Sequence, residues 1–241
     1  MTVDEGAVLY ITASKGSNGS WSQFRQLLGG GELRNEPKVS PTSTRTGNSI
    51  SVCGTPGEED SLFTGKICYP ISFYNNGGGR ITLTNPASDY KETYAACGDG
   101  KYPSETSKSV YMAPSFASPG PFGGGKFFFV NGGGSLVYLG ESEETVARAF
   151  EFQKGDEARV NPPVFDAGAS GGQEFTGNWI LNAGDFVRTV VLTGSNAVAN
   201  VFNNVFTNIT STPGSVFHFT KRGTGAWRFG DGQRDNRSAL G

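Results

Sequence analysis

The chain has 241 residues, 36 of them glycine and 12 proline, with 17% charged residues and a formal net charge of −2. That near-neutral balance excludes the basic footprint of a nucleic-acid module, and glycine well above the globular average points to a chain of many turns. No run approaches the roughly 18 apolar residues of a membrane helix, so no membrane partner is expected.

The N-terminus, Met1-Thr2-Val3-Asp4-Glu5, has acids where a signal peptide has basic residues, so synthesis in a host cytoplasm without a cleaved signal is expected. Residues 7–13 read as a strand. Over residues 20–28, Trp21, Phe24 and Leu28 fall at helical spacing and predict a short helix that Gly29-Gly30-Gly31 ends. Residues 34–48 hold one large apolar side chain, Val39, between Pro37 and Pro41. Such a segment cannot bury a core of its own and is read as an extended arm lying on a neighbour, with those three residues as candidate contacts.

Strands are predicted at 49–53, 62–69, 71–74, 80–84, 126–130 and 135–139. Asn76-Gly77 and Asn131-Gly132 carry the residues that accept positive φ in hairpin turns. The runs 126–130 and 135–139, joined through Gly132-Gly133-Gly134, therefore read as a hairpin. Residues 85–122 contain five prolines and read as a long irregular loop, in which Tyr90, Tyr94, Tyr102 and Tyr111 are candidate interface or ligand contacts. Ser142 and Ser195 suit the caps of helices over 143–152 and 196–206. Strands follow from the pattern at 186–192, 215–220 and 226–229. Together these elements predict one mainly β domain over 1–241: a β-sandwich or jelly-roll-like barrel with two or three short helices and long glycine- and proline-rich loops. The glycine triplets serve as tight turns and close-approach sites in that scaffold.

Motifs that carry chemistry are few. Gly120-Pro121-Phe122-Gly123-Gly124-Gly125-Lys126 has phosphate-loop spacing, but Phe127 replaces the hydroxyl that would hold magnesium, and a strand follows where the motif needs a helix. Gly168-Ala169-Ser170-Gly171-Gly172 matches a nucleophile elbow, with Asp185 and His218 following in hydrolase order. The residues after Ser170 are poor helix formers, so this trio ranks below the other readings. Glu58-Glu59-Asp60 is too short for calcium, and no histidine or cysteine grouping has metal spacing, so neither cofactor nor metal is expected. Cys53, Cys68 and Cys97 fit buried thiols of a reducing compartment.

The expected function is that of a structural subunit in a large homo-oligomeric assembly, a virion protein of tail, baseplate or capsid surface, with copies of itself and other subunits as partners and no enzymatic activity. The alternative is a carbohydrate- or receptor-binding β-sandwich module that contacts surface glycans through Tyr90, Tyr94 and Tyr102. A serine hydrolase built on Ser170, Asp185 and His218 stands third.

Overall fold

The computed structural model describes residues 1–11, 21–35, 48–54, 59–76, 79–96, 109–130, 133–153, 162–168, 171–182, 187–203, 206–208 and 216–230. These form a β-solenoid, in which the chain winds in successive coils and all strand pairings are parallel, between counterparts in adjacent coils. The first coil carries β1 (Thr2–Val3), β2 (Val8–Ile11) and β3 (Trp21–Phe24). The second carries β4 (Leu28–Gly29), β5 (Glu32–Asn35) and β6 (Ser49–Val52), and the third β7 (Ser61–Phe63), β8 (Lys66–Ile67) and β9 (Ser72–Asn75). Two coils of two strands follow: β10 (Arg80–Leu83) with β11 (Glu92–Ala96), then β12 (Val110–Ala113) with β13 (Phe127–Val130). Three strands per coil resume with β14 (Ser135–Tyr138), β15 (Glu144–Val146) and β16 (Phe150–Gln153). Next come β17 (Val164–Asp166), β18 (Gln173–Phe175) and β19 (Trp179–Asn182), then β20 (Val187–Thr193), β21 (Asn200–Phe202) and β22 (Phe206–Asn208). The described stack closes with β23 (Val216–Lys221) and β24 (Trp227–Phe229).

The first strand of every coil joins one nine-stranded sheet, and the last strand of each of the first eight coils joins an eight-stranded sheet. A third face is made of β2-β5-β8 in the N-terminal coils and β15-β18-β21-β24 in the C-terminal ones. The coil length varies: Gly29 pairs with Phe63, 34 residues on, whereas Phe63 pairs with Leu83, only 20 on. Insertions at the corners absorb the difference without disturbing the ladders.

The strands form for the expected reason. Arg80-Ile81-Thr82-Leu83 is exposed, buried, partly buried and buried in turn, the period-two pattern of a strand with one wet face. Stacking then brings equivalent positions into one row. Ile50, Phe73, Thr93, Phe127, Phe150 and Trp179 follow one another along the inside of the eight-stranded sheet. Because neighbouring strands lie about 4.8 Å apart, aromatic residues in such rows meet at ring-stacking distance. Phe129 and Phe152 stack with centroids 5.0 Å apart at 13°, and across the interior Phe165 of the nine-stranded sheet lies 4.7 Å from Trp179 of the eight-stranded one at 28°. Each fully buried ring of this kind contributes roughly 1.5–3 kcal/mol from area alone.

This architecture overturns the expected sandwich or barrel with helices. Among the described residues there is no helix, and no two consecutive strands pair with each other. The segment 20–28 holds β3 and β4, 143–152 holds β15 and β16, and 196–206 holds β21 and the start of β22. A short strand, a corner and another short strand bury residues at irregular intervals of two to four, and that spacing imitates a helical stripe. The predicted hairpin is also absent, because β13 and β14 belong to different sheets. The same holds for β9 and β10 on either side of Asn76. Glycine here turns a corner instead of reversing the chain. A Cβ on Gly134 would lie 2.9 Å from the Ala95 Cβ and 2.9 Å from the Ser109 carbonyl oxygen, both one coil back. Residues 85–122 likewise contain two regular strands, β11 and β12.

The buried phenols tie stability to alkaline pH. Burial, with Glu144 adding to it, pushes Tyr138 up to about 12, and burial also raises Tyr90, Tyr94 and Tyr111. An unfolded tyrosine titrates near 10. The fold therefore favours the protonated phenols: their contribution is complete below pH 10 and is lost as pH rises through 12 and beyond. Alkaline titration followed at 295 nm and by far-UV circular dichroism should show part of the tyrosinate signal appearing only together with loss of β structure. Complete tyrosine ionisation with an unchanged β signal would contradict this.

Candidate functional site

The segment between β12 and β13 forms a heavily anchored loop, and it borders a groove. Residues 114–125 take the place of a third strand in their coil. Arg148, just beyond β15, is almost completely buried beneath them. Its Nε donates to the Phe116 carbonyl at 3.1 Å, and Nη1 donates to Phe122 at 2.8 Å and Gly125 at 2.5 Å. Nη2 donates to Ala117 at 2.7 Å and Gly123 at 2.6 Å. All five guanidinium donors thus meet carbonyl oxygens. Burial lowers the Arg148 pKa to about 10, which leaves it charged at neutral pH.

Glu144, four residues earlier, holds the same loop by its amides. Its Oε1 accepts from the Phe116 and Ala117 amides, each at 3.0 Å, and from the Ser115 hydroxyl. Its Oε2 accepts again from Phe116 at 3.0 Å and from Gln173 Nε2 at 3.4 Å. The cation gathers carbonyls and the anion gathers amides, so two side chains of one short segment set the loop's path.

The phosphate-loop likeness ends here. The carbonyls of Phe122, Gly123 and Gly125 converge on Arg148, while the Gly123 amide donates to Gly120 and the Gly124 amide to Tyr90. The Gly123 and Gly124 amides, which a phosphate would need, already have backbone partners, one inside the loop and one in the coil before it.

Beyond Glu144 a groove of about 520 Å³ runs along the outer side of β15, β18, β21 and β24. Thr145, Glu174, Val201 and Arg228 occupy one row across it, in direct register from strand to strand. Glu143, Val198 and Asn203 flank that row. Asn203 Nδ2 donates to Glu174 Oε1 at 2.6 Å and fixes the carboxylate's direction. At Gly172 a Cβ would fall 2.5 Å from Val198 Cγ1, so this glycine allows the Val198 corner to close one side of the groove.

The tyrosines expected at a binding loop lie elsewhere. Tyr90 and Tyr111 are fully buried in the coil interior, where Tyr90 donates to the Pro121 carbonyl at 3.2 Å and Tyr111 to the Tyr94 carbonyl at 2.8 Å. Tyr94 lies on the outer side of the eight-stranded sheet, stacked on Tyr74 at 4.1 Å and on Phe128 at 4.6 Å. Both of its ring faces are covered by other rings, and its hydroxyl donates to Glu92 at 2.7 Å. His218 is exposed on β23. Glu59 and Asp60 form ion pairs with Arg25 and Arg80 at 3.6 and 3.7 Å. Cys53 and Cys68 are free thiols, each partly buried. Pro37, Val39, Pro41, Tyr102, Cys97, Ser170 and Asp185 lie outside the described residues. Among the described residues no group of three or more potential ligands could hold a metal ion, and no helix is long and apolar enough to cross a membrane.

Sequence reasoning missed Glu144, Arg148, Glu174 and Arg228. The first two sat inside the segment predicted as a helix, 143–152. The available signal was Arg148 flanked by alanines within an apolar alternation that runs from Val146 to Phe152.

No protein-family model matches the chain, and no curated protein or solved structure matches it significantly.

Proposed function

We propose that this chain is a structural subunit of a homo-oligomeric assembly, set in the tail, baseplate or capsid surface of a virion, with copies of itself as its principal partners. The observation that supports this reading is the outer face of the nine-stranded sheet. Along it Leu62, Thr82, Met112 and Val137 follow one another in register, with Val110 and Ser135 beside them. Leu62 is 50% exposed and the other five are partly exposed, all without charge. An uncharged stretch of sheet, bounded by Arg80 beside Val110 and Asp166 beside Val137, packs well against another sheet. At about 4.8 Å per strand the four strands that carry it span roughly 19 Å, and a four-residue width of about 13 Å gives about 250 Å² per copy. Two such faces bury about 500 Å² in total, so a specific contact of about 1,000 Å² takes in the neighbouring strands of the sheet as well.

The direct test is mass by light scattering, supported by electron micrographs. A multiple of the 25.5 kDa chain mass that persists on dilution is expected. Met112→Lys with Val137→Lys should lower that mass to the monomer while leaving the β signal intact. A wild-type chain that stays monomeric at high concentration would overturn the reading. An oligomer indifferent to both lysines would move the interface to another face.

A further inference from the structure

We propose that the groove over β15, β18, β21 and β24 binds a linear, uncharged glycan lying parallel to the solenoid axis. The inference goes beyond the structural role and does not depend on assembly. Three observations carry it.

The first is periodicity. Thr145, Glu174, Val201 and Arg228 stand one per strand in direct register. Their spacing is therefore that of the strands, about 4.8 Å. A polymer that meets them in step must advance by a similar distance per unit, as the pyranose units of an extended glycan do. An extended peptide advances about 3.3 Å per residue and falls out of step.

The second is charge. Glu143, Glu144 and Glu174 line the groove against one guanidinium, that of Arg228. This balance repels polyphosphates and uronate polymers, whose binding needs an excess of cationic side chains.

The third is the mixture of groups. Glu174 accepts and Arg228 donates, and the amide of Asn203 holds Glu174 at 2.6 Å. Carboxylate, amide and guanidinium together serve hydroxyls that both donate and accept. Val198, 39% exposed, and Val201 offer C–H surface for the apolar face of a sugar ring. The volume of about 520 Å³ suits a short stretch of chain in an open groove.

The test titrates the full chain with cellohexaose, maltohexaose and xylohexaose by calorimetry, with hexagalacturonate and hexalysine as charged comparisons. Saturable binding of at least one neutral hexasaccharide is expected, with Kd on the order of 10⁻⁴–10⁻³ M. Glu174→Gln and Arg228→Ala should each weaken it about tenfold, the loss of one charged hydrogen bond. Lys66→Ala, on β8 in the other sheet of the third face, should leave it unchanged. Thr145, Glu174 and Arg228 are surface residues, so unchanged thermal melts will confirm that the variants fold. The proposal is overturned if none of the three neutral sugars binds, or if binding is indifferent to both groove variants. It is equally overturned if hexagalacturonate binds as tightly as the neutral sugars, or if only hexalysine binds.

Discussion

Replacing Arg148 by methionine is expected to destabilise the protein by about 3–5 kcal/mol, the largest effect of any single polar substitution in the described structure. Methionine fills much of the same volume but donates nothing, so the carbonyls of Phe116, Ala117, Gly123 and Gly125 lose the guanidinium, while that of Phe122 keeps the Thr93 hydroxyl at 3.0 Å. Carbonyls without donors there cost more than an ordinary surface hydrogen bond contributes. Arg148→Lys should recover only part of the loss, because an ammonium has three donors and no planar fork. Glu144→Gln should cost less, about 1–2 kcal/mol, since the amide keeps one oxygen to accept from Phe116 and Ala117. Urea unfolding measures the order of the three variants, and hydrogen exchange should place the loosened amides of Arg148→Met in residues 114–125. Equal stability of Arg148→Met and wild type would refute the anchoring role.

The second large effect is expected at a corner. Gly65→Ala should cost about 3 kcal/mol or more, because it forces two coils apart. A Cβ there would lie 1.8 Å from the Gly31 carbonyl oxygen and 2.8 Å from the Gly30 carbonyl carbon, backbone atoms that no rotamer change can move aside. Gly31 stands in the same relation to the coil before it: its Cβ would lie 2.4 Å from the Asp4 carbonyl oxygen. The corner is a column of coils at backbone contact, and a methyl group anywhere in it propagates along the stack. Gly6→Ala is the control. Gly6 has φ +78° with nothing within 4 Å of the added Cβ, so only conformational strain of about 1 kcal/mol is expected. Comparable losses in the two variants would mean that close approach is not what selects glycine at residue 65.

Fewer than half of the strands were readable from local pattern. The runs at 49–53, 71–74, 80–84, 126–130 and 135–139 match β6, β9, β10, β13 and β14 within a residue or two. Their partners were not readable. Phe127 with alternation around it looks the same whether it pairs across a hairpin or with Phe150 one coil on, and only the latter occurs. The candidate site was harder still. Glu174 and Arg228 are far apart in sequence and meet in one row because β18, β21 and β24 stack in register. The tyrosines were misplaced for the converse reason. Tyr90 and Tyr111 sit in proline-rich text that resembles a surface loop, yet the coil folds it inward around them.

The sequence by itself determined that this chain is built of short strands joined at glycine corners, because period-two burial and the absence of a Cβ are local properties. Tertiary structure alone decided that the strands run parallel in a solenoid and that Arg148 holds a loop of carbonyls. It also decided that a row of side chains from four coils lines one groove. Those outcomes depend on which coil lies above which, and contacts made 20 to 34 residues apart leave no periodic mark on the chain.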